Sequence, residues 1–507
     1  MTRSEKSTRN ALAACIYQVI YLLLTFVIRF VMIKFIGLTA VSLNGLFTEV
    51  ISMLSLVELG VGSAIVYNLY KPLAEHDTVK LTALMTLFKK AYRTIAIVMF
   101  VIGLCLLPRI DLFVSKIDVN IGYLRLVYLL FLIKTASSYL LAYKISLINA
   151  DQKAYIVSIC NIITKSIFTV IELIVILCFK NFILYLILEI ILVFATNITI
   201  SMIADKRYPF LKENATLPKE ESRGIFQNIK NIFITTICTR ITSSTDNILI
   251  STLVGTLQVG IYSQYSMVIN GVNTMIRQIN NGAVASIGHV MMQDSKEHCH
   301  EIMCNLTFLN FMIGSVCGSC LLTMLNPFIS IVFGKQYILD NITLFVICYN
   351  FFLATICHCI WNFTNVSGLF AKDKNIGIIG TVFNLIVSII FGKYCGMVGI
   401  FAGTALTHFI QGELKIRLLY NENFHMDYKL YSLKWWKYMM LAAIEMIIVF
   451  QIYLNIPFQN VYLQFIYMAI ISVVFIMFVN LLLFKNTEEY QYAKTYIQKL
   501  VKKVVKK

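Results

Sequence analysis

The sequence predicts an all-α polytopic membrane protein of about fourteen transmembrane helices, and three observations predict it. First, mostly apolar runs such as Ala11–Phe30, Tyr123–Ile145, Ile156–Cys178, Phe182–Met202 and Tyr462–Phe484 recur from end to end. Each is long enough, at about 1.5 Å of rise per residue, to cross about 30 Å of hydrocarbon. Second, the 507 residues are 58% hydrophobic and only 14% charged, which leaves no room for a large soluble domain. Third, the connecting loops are short and alternate between Lys/Arg-rich and charge-poor. A backbone at membrane depth has no water to bond, so each run is expected to be a helix.

In chain order the expected spans are 11–37, 43–70, 91–108, 123–148, 156–179, 181–204, 226–253, 256–287, 302–333, 340–368, 376–393, 395–416, 436–454 and 461–484. Arg3, Lys6 and Arg9 precede the first, which is too long for a cleavable signal core and lacks a small-residue cleavage site. Pro72, Pro108, Pro209, Pro218, Pro327 and Pro457 fall at span ends or in loops, where a missing N–H costs little. Loops 71–93, 205–223 and 415–437 and the tail 485–507 carry many of the Lys and Arg residues, whereas 38–42, 255–259 and 455–460 carry none. Positive charge stays on the cytoplasmic side, so both termini are expected inside and the number of spans even. The net charge of +17 is therefore a topology signal and not a nucleic-acid footprint.

The charged, proline-bearing stretch 205–225 divides two similar halves. Pro108–Lys116 matches Pro327–Lys335, Gly37 matches Gly255, and Ala150–Lys153 parallels Ala371–Lys374, all at nearly one offset and at corresponding span edges. With six spans in each half, both halves start inside and the repeat is parallel. The expected organisation is an N-terminal six-helix lobe (1–204), a cytoplasmic linker (205–225), a C-terminal six-helix lobe (226–416), a helix pair (417–484) and a basic cytoplasmic tail (485–507). In that tail Tyr496, Leu500, Val501, Val504 and Val505 face away from the lysines, a pattern suited to anionic inner-leaflet lipids.

Thirteen cysteines, an odd number scattered mostly within spans, read as small buried hydrophobes. His298-Cys299-His300 with Cys304, and Cys357-His358-Cys359, lack the pair-of-pairs spacing of a zinc site, so no metal is expected.

Two six-span halves plus an extra pair resemble the multidrug/oligosaccharidyl-lipid/polysaccharide (MOP) exporter superfamily. The stretches Arg29–Gly37, Asn44-Gly-Leu-Phe47, Leu54–Leu73, Asp246–Gly255 and Val259-Gly-Ile-Tyr-Ser263 look like its polysaccharide-exporter branch, particularly the Gram-positive members. The resemblance covers the first twelve spans and implies a multi-pass protein of the bacterial plasma membrane. It implies flipping of a polyprenyl-diphosphate-linked oligosaccharide from the inner to the outer leaflet by alternating access, for surface polysaccharide biosynthesis. Its rival is a drug or metabolite exporter of the same superfamily. An enzyme is not expected, because the external loops are short and poor in acids. Polysaccharide polymerase and glycosyltransferases are further candidate partners.

Ionisable groups inside spans cost about 2.5–3.5 kcal/mol each on insertion scales, so each is a functional candidate. A diphosphate needs fixed cations, and the forked guanidinium suits it best. Arg29, Arg240 and Arg277, with Lys134, are the substrate-binding candidates. Amides at helical spacing join them: Asn270 and Asn273 (with Asn280 and Asn281) in the eighth span, Asn350 and Asn362 (with His358 and Asn365) in the tenth. Glu49, Glu58 and Asp246 are candidates for gating or for coupling to a proton or sodium ion, and no other cofactor is expected. The competing role for each charge is an ion pair, Arg29 with Glu49 or Arg240 with Asp246. Lys34 and Lys144 lie near span ends and are expected to snorkel. Lys165 and Glu172, two helical turns apart, are expected to serve structure.

Overall fold

A backbone in hydrocarbon satisfies its N–H and C=O groups by closing helical hydrogen bonds, and every regular element among the described residues is a helix. The computed structural model describes residues 3–495 apart from 55–67, 70–71, 74, 76, 214, 218–236, 239–240, 243, 294 and 457–460. The helices are α1 (Arg3–Phe35), α2 (Leu38–Leu54), α3 (Thr78–Leu106), α4 (Ile121–Tyr139), α5 (Ala142–Ala150), α6 (Ala154–Phe179) and α7 (Phe182–Arg207), followed by α8 (Thr256–Gln293), α9 (Lys296–Val332), α10 (Asn341–Val366), α11 (Phe370–Leu419), α12 (Lys429–Asn455) and α13 (Val461–Phe484). Ten helical stretches among the described residues are long and apolar enough to cross a membrane. The longest of them, Lys372–Phe424, contains the bend in α11 described below. Helix α8 is not among the ten, in keeping with its four Asn residues and Arg277.

Side-chain caps fix several starts. Asp77 accepts from the Lys80 amide, so α3 begins at Thr78, thirteen residues before the expected start of the third span at 91. Asn181 accepts from the Ile183 and Leu184 amides directly after Lys180 in the left-handed region, which makes the tight α6–α7 turn. The expected fourth span is not one helix: Leu141, at φ −122°, interrupts it between α4 and α5. The eleventh and twelfth spans form one helical stretch broken at Gly396 (φ 60°, ψ −135°), a conformation open to glycine and strained for other residues. The chain folds back there. A Cβ on Gly399 would lie 2.0 Å from the Phe391 carbonyl oxygen, and one on Gly403 would lie 2.2 Å from Ser388 Oγ. Asn384 Nδ2 donates to Thr404 Oγ1 across the same hairpin.

The chain forms two compact units, Met1–Ser263 and Gln264–Lys507. In the first, α1 packs on α6, α6 on α7, α7 on α4 and α4 on α3. The unit extends past the 205–225 linker because later residues bond back to it. Ser251 Oγ donates to the Phe113 carbonyl at 2.6 Å, and the Ser115 amide donates to Thr256 Oγ1 at 2.8 Å. Gly45 and Gly260 let the start of α8 approach α2, where any larger residue at 260 would strike Ser42. Lys144 does not snorkel. Its ammonium is buried between α5 and α7, donating to Ser201 Oγ at 2.6 Å and to Asp205 Oδ1 at 2.7 Å. The Asp205 carboxylate compensates the buried ammonium, which would otherwise be a costly unpaired charge.

In the second unit α9 is the hub, packed by α10, α12 and α13, with α10 also on α11. Gly314 brings α9 against Phe352 and Thr355 of α10. Phe308 and Phe311 of α9, Tyr438 of α12 and Phe484 of α13 form an aromatic cluster, with Phe311 stacked on Tyr438 at 4.8 Å between centroids. The expected extra helix pair thus belongs to this unit. The hydrophobic stripe of the basic tail, Tyr496 to Val505, lies outside the described residues.

The inside/outside assignment has a direct test. Asp118 is exposed in the connection between α3 and α4. In a Cys-free background, single cysteines at Asp118 and Gln459 should react with an impermeant thiol reagent from outside the cell, and one at Thr487 should not. Reversed labelling would invert the expected topology.

Candidate functional site

In the first unit five helices enclose a cavity of about 410 Å³. Helix α1 supplies Tyr17, Tyr21, Thr25, Ile28, Arg29 and Met32, α2 supplies Asn44 and Thr48, and α4 supplies Lys134. Helix α6 adds Asn161, Thr164 and Lys165, and α7 adds Tyr185, Glu189, Leu192, Val193 and Thr196. On α1, the spacing 17, 21, 25, 29 keeps four polar side chains on one face. Between runs of Ile, Leu and Val that can face lipid, this stripe can be buried only against other polar groups.

The charges of the cavity are linked. Glu189 of α7 accepts from Lys134 of α4 at 2.6 Å and from Lys165 of α6 at 2.8 Å. Lys165 also reaches Glu172, two turns along α6, at 3.2 Å. Glu172 is fully buried and Glu189 nearly so. Tyr185 OH lies 3.4 Å from Glu189 Oε1. Two lysines and two carboxylates therefore neutralise each other where water is scarce, the condition under which a buried pair is retained. Arg29 stands apart. Its Nη1 donates to the Ser263 carbonyl at 2.6 Å, and among the described residues no carboxylate pairs with it. Among the described residues the other N–H groups of its fork have no protein acceptor and can serve a ligand. With the other charges cancelled, the cavity carries one surplus positive charge among its described residues.

Of the sequence-derived candidates, Arg29 and Lys134 meet in this cavity. The alternative Arg29–Glu49 pair is not seen: Glu49 instead accepts from Asn247 Nδ2 at 3.4 Å. Tyr262 lies within electrostatic reach of both Glu49 and Asp246, so those two gating candidates share one neighbourhood of the first unit. Arg240 and Glu58 lie outside the described residues. Lys165 and Glu189 are not among the sequence-derived site residues, and the structure makes them central. The legible signal is their ionisability within spans; which charges converge depends on how α4, α6 and α7 pack.

In the second unit the amide stripe of α8 divides. Asn270 and Arg277 are exposed, whereas Asn273 is buried and Asn280 donates to Asn310 of α9 at 2.9 Å. Seven residues turn a helix almost back on itself and three leave it about 60° away, so the stripe is really two adjacent faces. Arg277 lies within electrostatic reach of His358 on α10, whose ring makes an edge contact with Trp361. Asn350 is committed to packing, donating to the Phe401 carbonyl of α11 at 2.8 Å, and Asn362 is half-buried. His300 Nδ1 lies 2.6 Å from Tyr420 OH, and Cys304 Sγ 3.6 Å from His300 Nε2; no group of three metal-binding side chains converges among the described residues.

Helix order, two units and a charged intramembrane cavity define the class: a multi-pass membrane protein with the fold of MOP-superfamily transporters. The solved structures that it resembles include the lipid II flippase MurJ in an inward closed conformation, at 15% identity and a TM-score of 0.65, over 93% of this chain and 98% of that one. They include a point mutant of the MATE transporter VcmN of Vibrio cholerae (14% identity, TM-score 0.58, 84% and 99% covered). The eukaryotic MATE transporter AtDTX14 is also similar, at 11% identity and TM-score 0.59, with 87% and 98% covered. No family model and no curated protein matches the sequence.

Proposed function

We propose that this protein is a flippase that carries a polyprenyl-diphosphate-linked oligosaccharide from the inner to the outer leaflet of a bacterial plasma membrane, by alternating access, to supply surface polysaccharide synthesis. The observation that carries the proposal is the Arg29 guanidinium, which no described carboxylate pairs, in the first-unit cavity beside Lys134 and Lys165, whose charges Glu189 and Glu172 cancel. A surplus cation at that depth fits an anionic headgroup, and its fork can take two oxygens of one phosphate. The polar lining of Tyr17, Tyr21, Asn44, Thr48 and Asn161 offers donors and acceptors to sugar hydroxyls. A cationic drug would instead require an uncompensated carboxylate, and Glu189 and Glu172 are both paired. The reading is of a carrier and not of an enzyme, and the sequence resemblance to polysaccharide exporters supports it. Polymerase and glycosyltransferases are its proposed partners, and coupling to a proton or sodium gradient at Glu49 and Asp246 is a proposed energy source.

The test is reconstitution of the full chain in vesicles with a fluorescent short-chain polyprenyl-diphosphate oligosaccharide, and separately with a lipophilic cationic dye. Protein-dependent movement of the anionic lipid, without movement of the dye, is expected. Movement of the dye alone would replace this reading with a drug exporter.

A further inference from the structure

A second ionisable site lies in the other unit, on helices that carry none of the sequence-derived candidates. Glu445 of α12 is 1% exposed, and among the described residues no Lys, Arg or His pairs with it. Asn480 of α13, also fully buried, donates through Nδ2 to Glu445 Oε1 at 2.9 Å and to the Ile476 carbonyl at 3.0 Å. Both amide hydrogens of Asn480 are thereby used. That leaves Glu445 Oε2 and Asn480 Oδ1 as buried acceptors with no donor among the described residues. The third wall is α9. Thr323 Oγ1 meets Ser472 Oγ at 3.1 Å, and residues 319 and 315 follow at four-residue steps along α9 as 476 and 480 do along α13. Ser315 of α9, fully buried, lies within electrostatic reach of the Glu445 carboxyl, and its Oγ donates to the Met312 carbonyl at 3.3 Å. One turn away Ser319 Oγ is also buried, with no hydrogen-bond partner among the described residues. Around these groups the packing is apolar, with Met446, Val449 and Ile476 fully buried.

A bare carboxylate in such surroundings is untenable, and the two idle oxygens are acceptors only, so the group needed to complete the site is one positive charge that accepts oxygen ligands or a proton that joins them. We propose that Glu445, Asn480 and Ser315, with Ser319 adjacent, form a binding site for one small monovalent cation, a sodium ion or a proton, that ties α12 and α13 to α9. Sodium takes oxygen donors of this carboxylate, amide and hydroxyl kind. A proton on Oε2 would be donated to Asn480 Oδ1 or Ser315 Oγ. Among the described residues no Asp, Glu, Lys, Arg or His of α9 or α13 interacts with Glu445, so the occupant supplies the neutralising charge. The proposal is independent of what the first-unit cavity carries.

The experiment is thermal unfolding of the purified full chain, with sodium replaced by choline at constant ionic strength, at acid and at alkaline pH. A ligand that binds only the folded state shifts the unfolding constant about a hundredfold at about one hundred times its dissociation constant. Sodium-dependent stabilisation at alkaline pH that fades on acidification identifies sodium competing with a proton. Stabilisation by acid alone, unaffected by sodium, identifies the proton. In either case Glu445→Gln, which is neutral and of the same shape, should remove the dependence and unfold as the saturated wild type does. Asn480→Leu should move the sodium or proton midpoint at least tenfold, which keeps the test decisive if the Gln variant fails to fold. A wild type whose unfolding responds to sodium and pH no differently from Glu445→Gln, or from Asn480→Leu, would overturn the site.

Discussion

Glu189→Gln is expected to be the most damaging single substitution in the first unit. It leaves the Lys134 ammonium without its carboxylate and Lys165 with Glu172 alone. Breaking a buried ion pair by removing one partner costs about 3–5 kcal/mol, because the survivor is an uncompensated charge in low dielectric. Lys134 is partly exposed, at 28% of its side chain, so the lower end of that range applies. The variant should lose most of its membrane-inserted, detergent-stable protein. Adding Lys134→Met removes the stranded cation, keeps the Lys165–Glu172 pair and fills the same length with an apolar chain. The double variant should therefore recover most of the lost thermal stability. A double variant no more stable than Glu189→Gln would mean that Glu189 acts through packing or Tyr185, and that the charge network is not what holds α4, α6 and α7 together.

Arg29→Ala should act on transport and leave the fold intact. Arg29 makes one hydrogen bond to the Ser263 carbonyl and pairs with no carboxylate among the described residues, so its removal strands no charge. Hydrogen bonds to a charged group are worth about 1.5–3 kcal/mol, equivalent to a loss on the order of 10–100-fold in affinity or rate. The initial rate of anionic-lipid flipping in vesicles should fall by about that factor, with expression and melting temperature near wild type. Arg29→Lys, which keeps the charge and loses the fork, should restore part of the rate. Undiminished flipping in Arg29→Ala would take the guanidinium out of the binding site. Slower flipping of a neutral lipid by the same factor would make its role structural.

The helical class and most span positions were legible because the solvent writes them into composition: nearly every residue of a span must be apolar, whatever its neighbours are. The failures came where a local event overrides that average. Asp77 starts α3 early by capping it, Leu141 breaks a mostly apolar run, and Gly396 turns two spans into a hairpin with almost no loop. Single residues of this kind carry little hydropathy signal. The polar stripe of α8 was legible as a stripe, but its division into a packed face and an exposed face needed the position of Asn310 on α9.

The sequence by itself determined that this chain is built of membrane-spanning helices and which ionisable residues fall within the apolar runs, and it set the expectation, from the basic loops, that both termini lie inside. These follow from one-dimensional quantities, run length, charge and spacing. Tertiary structure alone decided which charges cancel and which remain. Lys134, Lys165, Glu172 and Glu189 come from three helices and meet only in the packed unit, where they leave Arg29 as the surplus cation. Lys144 is buried rather than snorkelling, and Glu445 is left without a cation among the described residues, for the same reason. A charge in low dielectric is governed by the few groups within several ångströms, and distance through space between helices is not written in distance along the chain.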